Sequence, residues 1–390
     1  MNPTTRTASQ LSRRHFIIAT IFEGGKYLHQ AALYFMLPAA EYGLVGSVFS
    51  LAYLSANLAC LEGNNALVPH TNAISINVNR REFILRHLIG PQLIQHSLAA
   101  TATGCTIYQL THQELLAGAG CLIALTEGLR IACRPLIYAM ANSQRTAKNE
   151  AAISFAYIGI LWTATALNGQ YLTSTTIVVL YAIASVLGLS YLITAGLIKL
   201  KKIPKSSESA TLPQWEDIWG LQRSLLALQL PHNLFSANFI VPFFAYRNGL
   251  AMAGAIKITS EVASAVRSVI KSSIGFPLNA LFSQIATNQA SSGERRQEIF
   301  ATIQSVAAQA SAILIATLSI IGAALAIPWP IHTKVIFGGF CLLMVADYLC
   351  MPYELLSLHS NTVGRAALIR GAEVIVDIVV LIICAQWPLG

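Results

Sequence analysis

The sequence predicts an all-α polytopic membrane protein: two helical bundles, six transmembrane helices and then about five, around a central cavity. Three observations predict it. Of 390 residues, 55% are hydrophobic and only 11% charged, where a soluble chain carries about 25% charged residues; the mean hydropathy is +0.58. Eleven apolar runs each approach or exceed the roughly 20 residues that cross a bilayer. Lysine and arginine gather in alternate loops between those runs, as orientation in a membrane requires.

The runs lie near 15–37, 42–66, 87–109, 114–141, 150–168, 173–199, 224–246, 249–285, 300–327, 331–357 and 366–386. The first follows Arg6, Arg13 and Arg14. It is too long for a signal-peptide core, and no small-x-small cleavage site follows it, so it is expected to remain as a span. The basic loops hold Arg80, Arg81 and Arg86 after the second run and Arg145 and Lys148 after the fourth. Lys199, Lys201, Lys202 and Lys205 follow the sixth, Arg295 and Arg296 the eighth, and Arg365 the tenth. The intervening loops hold only Arg247 and Lys334. The alternation places the N-terminus in the cytoplasm and the C-terminus outside. The net charge of +8 would point to nucleic acid if read alone; its loop placement explains it by orientation, and no nucleic-acid partner is expected.

"KLKKIPKSSESATLPQWEDIW" (199–219) is basic, then Ser-rich, then amphipathic. It divides the chain into an N-terminal six-helix bundle (1–199), a cytoplasmic linker with an amphipathic segment (200–222) and a C-terminal bundle of about five helices (223–390). The halves carry a faint repeat. "RPLIYAMANSQRTAKNEA" (134–151) and "MPYELLSLHSNTVGRAAL" (351–368) align Pro135 with Pro352, Ser143 with Ser360 and Lys148 with Arg365. Internal repeats with a binding site between them are common in secondary transporters.

A charge at the bilayer centre costs about 2.5–3.5 kcal/mol even on the lenient insertion scale, so it should face protein or water. The first run nevertheless holds Glu23, Lys26, Tyr27 and Gln30 on one helical side, with His29 at its edge. The fourth holds Glu127, Arg130, Arg134 and Tyr138. The eighth holds Lys257, Glu261, Ser264, Ser268 and Lys271, with Arg267 beside them, and the eleventh Arg370, Glu373 and Asp377. Two readings compete. Stripes on the helices that open each half would line an aqueous cavity. Buried ion pairs would instead lock helices together, the reading preferred for Arg370, Glu373 and Asp377. His87, Gln92, Gln95 and His96 are expected at the membrane interface, and His232 and Asn233 beside Pro231 in a broken helix. The seven cysteines, at 60, 105, 121, 133, 341, 350 and 384, form no CxxC pair and read as packing residues, with no metal or disulfide role. No P-loop, GxSxG or HExxH occurs. No enzymatic activity, ATP-driven transport or cofactor is expected.

"LPAAEYGLVGSVFSLAYLSANLACLEGNNALVPH" (37–70), with Glu41, Tyr42 and Gly43 opening an apolar helix, resembles the first loop and second helix of Wzx-type polysaccharide flippases. Those belong to the superfamily that also holds MATE exporters and the lipid II flippase MurJ. "LRIACRPLIYAMANSQRTAKNEA" (129–151) and "GLAMAGAIKITSEVASAVRSVIKSSIGFPLNALFSQIA" (249–286) resemble the fourth and eighth helices of that family. The resemblance covers most of the chain through diffuse motifs. It implies a MATE-like two-bundle fold working by alternating access in a bacterial cytoplasmic (inner) membrane. The implied substrate is an undecaprenyl-diphosphate-linked oligosaccharide of O-antigen or other polysaccharide biosynthesis. Membrane lipids and other polysaccharide-assembly proteins are the implied partners. Lys26, Arg130, Arg134, Lys257, Arg267 and Lys271 are the positions for the diphosphate. Glu23, His29 and Glu261 are the positions for coupling or sugar contact. The family usually has twelve or more spans, against eleven here, so either the last helix is dispensable or the chain is truncated. The alternatives are a MATE-like proton- or sodium-coupled exporter of organic cations, and a membrane-embedded glycan polymerase or ligase. The latter usually needs a large external loop, and the external loops here are short.

Overall fold

The computed structural model describes residues 29–30, 32–60, 90–140, 152, 156–163, 173–202, 214, 216, 218–220, 222–223, 226 and 236–270, with single positions at 301, 316, 334, 337 and 338. Every regular element among them is a helix. The principal ones are α1 (Ala39–Cys60), α2 (Gly90–Thr111), α3 (Glu114–Met140), α4 (Ser174–Lys202), α5 (Ala237–Asn248) and α6 (Leu250–Ile270). Residues 156–163 are also helical. α1, the Glu114–Cys133 part of α3 and the Ser174–Thr194 part of α4 are long and apolar enough to cross a membrane. These three mark the chain as a membrane protein. α2 has the length of α1, 22 residues, but Gln92, Gln95, His96 and four threonines make it more polar.

The predicted runs at 42–66, 87–109, 114–141 and 173–199 coincide with α1 to α4 within a few residues, apart from 61–66 and 87–89, which lie outside the described residues. Of the run at 224–246, the helix α5 is described from Ala237, with Ser236 as its N-cap and Pro242 inside it. The run at 249–285 is described to Ile270, as α6, and its remainder lies outside the described residues; the other predicted runs lie wholly or mostly outside them.

The chain falls into two compact units, one of Met36–Gly254 with Ala367–Trp387, the other of Met1–Phe35, Ala255–Ala366 and Pro388–Gly390. The predicted boundary at 200–222 lies inside the larger unit. In that unit α3 packs against α1, α2 and α4, and α5 packs on α1. Small residues permit the close approach, as in membrane helices generally, where backbone proximity replaces hydrophobic driving force. A side chain at Gly120 would collide with Ile107 of α2 and press on Val48 of α1. One at Gly128 would occupy the place of the His96 imidazole. One at Gly43 would run into the backbone of Leu250, and one at Gly254 would meet the Ala39 carbonyl oxygen.

One end of the larger unit is stitched by polar contacts. α2 turns into α3 through His112, at φ 53°, in the left-handed region, and the Gln113 N–H donates to Thr111 Oγ1. Thr175 Oγ1 donates to Gln113 Oε1 at 3.2 Å. The Ser174 N–H donates to Glu41 Oε2, also at 3.2 Å, across 133 positions of sequence. Glu41 thus caps the start of α4 from the first turn of α1, where a carboxylate meets unsatisfied N–H groups and the positive end of the helix dipole. Glu41→Ala is expected to lower stability by about 1 kcal/mol. The thermal melt of the detergent-purified chain checks this, and Glu41→Gln should recover only part of the loss.

Candidate functional site

Three helices bring polar groups together midway along the apolar segments of the larger unit. On α3, Glu127 is 3% exposed and its Oε1 lies 2.9 Å from Nη1 of Arg130. The 3-residue spacing puts both on one face, and the guanidinium reaches toward α4 where Gly188 leaves room for it. One residue before Glu127, Thr126 Oγ1 is 2.7 Å from Ser185 Oγ of α4. The Tyr53 hydroxyl of α1 hydrogen-bonds the Tyr181 hydroxyl of α4, and Tyr53 lies within electrostatic range of both Glu127 and Arg130. Tyr181 is held on two further sides. Phe49 of α1 packs on its ring at 4.7 Å and Tyr157 meets it edge-on at 5.3 Å.

The local sequence explains each placement. Thr126 Oγ1 also lies within reach of the Leu122 carbonyl one turn back, and Ser185 Oγ of that of Ala182. With one proton each, one hydroxyl donates to the other and the acceptor donates to a carbonyl of its own helix, which lets short polar side chains sit in an apolar helix. Each such interhelical bond in a membrane protein is worth about 0.6 kcal/mol on average. Tyr181→Phe keeps the ring contacts and removes one hydroxyl. Its expected cost is about 0.6–1.5 kcal/mol, read as a lowered melting temperature. Tyr181→Ala should cost about 3 kcal/mol or more, because the aromatic packing goes with it.

Next to this cluster, α2 contributes His96. It is 1% exposed, its Nε2 3.0 Å from Gln92 Oε1, its ring lodged against Gly128. The imidazole, whose expected place is near the membrane interface, is buried between α2 and α3, where Gly128 has no side chain to exclude it. α1 and α2 are joined by Thr103 Oγ1, which donates to Ser55 Oγ at 2.6 Å, and by Ser55 Oγ, which donates to the Ala99 carbonyl at 3.1 Å.

In the other unit, Lys257 Nζ lies 2.6 Å from Glu261 Oε1 one turn along α6, with side chains 6% and 15% exposed. Ser260 and Thr259, both buried, bond back to carbonyls of the same helix. His29 and Gln30 are buried as well. Arg134 and Arg267 fall on α3 and α6, at positions where only the backbone is described. Glu23, Lys26 and Lys271 lie outside the described residues.

Among the sequence-predicted residues, the structure therefore pairs Arg130 with Glu127 and Lys257 with Glu261. Each pair balances one positive charge with one negative in a low-dielectric interior, where an unpaired ion is expensive. Sequence reasoning missed Tyr53, Thr126, Tyr157, Tyr181 and Ser185. No local spacing marks them, since each meets its partner on another helix. No group of three or more His, Cys, Asp or Glu among the described residues is placed to hold a metal ion. No known protein family, curated protein or solved structure matches this chain.

Proposed function

We propose that this protein is a multi-pass transporter of a bacterial cytoplasmic membrane that moves an undecaprenyl-diphosphate-linked oligosaccharide by alternating access between two helical bundles. The observation that carries this reading is the burial of cationic side chains on apolar helices, Arg130 on α3 and Lys257 on α6, each with a carboxylate one turn away. An intramembrane cation is costly and marks a substrate path by default. Guanidinium and ammonium groups are the natural partners of a diphosphate, the former with the better fork. A carboxylate neighbour holds such a cation in place while no anion is bound.

The same pairing favours a second reading. With Glu127 and Glu261 neutralising their bases, the paired sites carry no excess positive charge, as an exporter of organic cations would prefer. One experiment separates the two. The purified chain is reconstituted in vesicles carrying a fluorescent diphosphate-linked oligosaccharide lipid, and the fraction of probe open to an external quencher is followed. Translocation faster than in protein-free vesicles, without ethidium efflux, supports the flippase. Ethidium efflux without lipid translocation assigns the exporter, and neither activity overturns both. In the flippase, Arg267→Ala and Lys271→Ala are each expected to lower translocation at least tenfold while leaving the protein inserted; unchanged rates would remove those two positions from the substrate path.

A further inference from the structure

Three large rings stand outward from the larger unit on three different helices. Tyr108 of α2 is 44% exposed, Trp162 in the helical stretch 156–163 is 41% exposed and Tyr246 of α5 is 79% exposed. They share one level. Tyr108 lies one turn before His112, where α2 turns into α3, and the two rings meet edge-on at 6.1 Å. Gln113 of that turn holds Thr175 at the start of α4, and Glu41 in the first turn of α1 holds Ser174. Tyr246 lies two residues before the end of α5. That end sits at the start of α1, because the Gly43 backbone lies against that of Leu250. The Tyr157 hydroxyl donates to the Ile177 carbonyl, three residues inside α4. Only positions 164–172 part this stretch from Thr173, a connection short enough to make the two helices antiparallel. Trp162, five residues or about 7.5 Å beyond Tyr157, thus comes back to the level of the α4 start.

On one side of this level the exposed residues are polar: Gln113, Glu114, Thr173, Arg247 and Asn248. On the other side Leu98 of α2 and Ile183 and Leu187 of α4 are exposed, large and apolar. Leu98 stands ten residues, about 15 Å, from Tyr108, and Ile183 nine residues, about 14 Å, from Ser174. Both distances match half of the roughly 30 Å hydrocarbon thickness.

We propose that Tyr108, Trp162 and Tyr246 form a belt that binds the glycerol and headgroup layer of one bilayer leaflet. Each ring fits that layer by its chemistry. A flat apolar body lies against the upper acyl chains, and one hydroxyl or indole N–H donates to ester and phosphate oxygens. Deeper in the bilayer the chains offer those donors no acceptor; farther out, water leaves the ring faces exposed. The belt sets the depth of the larger unit, with Leu98 and Ile183 near the bilayer midplane. The inference does not depend on what the protein transports or on which leaflet is meant.

The test uses the unaltered full chain in phosphatidylcholine vesicles, so no variant has to fold. The vesicles carry one of two photoactivatable phosphatidylcholines, with the diazirine either beside the headgroup or at the end of an acyl chain. After illumination, the labelled positions are mapped by proteolysis and mass spectrometry. The headgroup reagent is expected to label Tyr108, Trp162 and Tyr246 about fivefold more than the chain-end reagent does, with the reverse preference at Leu98 and Ile183. Rings labelled equally by both reagents, or more by the chain-end one, overturn the belt. Rings that neither reagent labels overturn it as well, since a second copy or another part of the chain would then cover them.

Discussion

Gly43→Ala is expected to destabilise the protein by about 3 kcal/mol or more, the upper end of what overpacking costs. One methyl is enough, because what it strikes cannot rotate away. The added carbon would enter the backbone carbonyl of Leu250 and crowd the Gly254 nitrogen. A clash with a flexible side chain is relieved by a rotamer change; a clash with a helix backbone moves the whole helix. The crossing is reciprocal, since a side chain at Gly254 would stand 2.6 Å from the Ala39 oxygen. Gly254→Ala should therefore produce a loss of the same kind. Gly118→Ala and Gly159→Ala are the controls, because a methyl there meets nothing within 4 Å and alanine is the better helix former by about 1 kcal/mol. Melting temperature and monodispersity in detergent read the outcome. A Gly43→Ala protein that melts with the unaltered chain would mean that α1 and the first turn of α6 are not in backbone contact.

Glu127→Ala is expected to cost about 3–5 kcal/mol, the penalty for stripping one partner from a buried ion pair. The carboxylate is 3% exposed and the Arg130 side chain 15%, so little solvent remains to stabilise the abandoned guanidinium. Removing both charges should be milder. Glu127→Gln with Arg130→Met is expected to recover most of the stability, as apolar replacements of buried pairs commonly do. That double variant also separates the two meanings of the pair. If Glu127 and Arg130 only satisfy each other's charge on α3, the recovered protein transports normally. If Arg130 contacts the cargo, the protein folds and transports at least tenfold more slowly. A double variant as unstable as Glu127→Ala would show that neither charge can be replaced, and would place the pair in a wider polar network with Tyr53 and Tyr181.

What could be read from the sequence follows the range of the interaction. Helices α3 and α4 were legible nearly to the residue, because Glu114 and Thr173 break the apolar runs that follow them. The stripe joining Glu127 to Arg130 and Lys257 to Glu261 was legible too, since helical spacing alone puts those residues on one face. Neighbours on other helices were not. Ser185 lies 59 positions from Thr126, and Tyr181 lies 128 from Tyr53; nothing in either local pattern names the partner. The polarity of His96 within an otherwise apolar run gave no sign that its ring is buried against another helix. The residue that buries it, Gly128, belongs to a different helix and carries no side chain to announce the contact. Glu41 was legible only as part of a family-like motif, and its work as a remote cap for α4 is a tertiary fact. The proposed bundle count and the sidedness of the N-terminus rest on the loop charges alone.

The glycine crossing between α1 and the start of α6 also sets a clock for biogenesis. Gly43 leaves the ribosome about 200 residues ahead of Gly254, and at roughly 5–20 residues per second that interval lasts about 10–40 s. During it α1 sits in the bilayer with a bare backbone groove and no native helix to fill it. Such a groove accepts any small-faced helix that drifts past, whether a neighbour from the same chain or one from another polypeptide. Slowing translation between α1 and α6 would lengthen that exposure, and a membrane chaperone or insertase that shelters helices in waiting would have its most demanding client interval there.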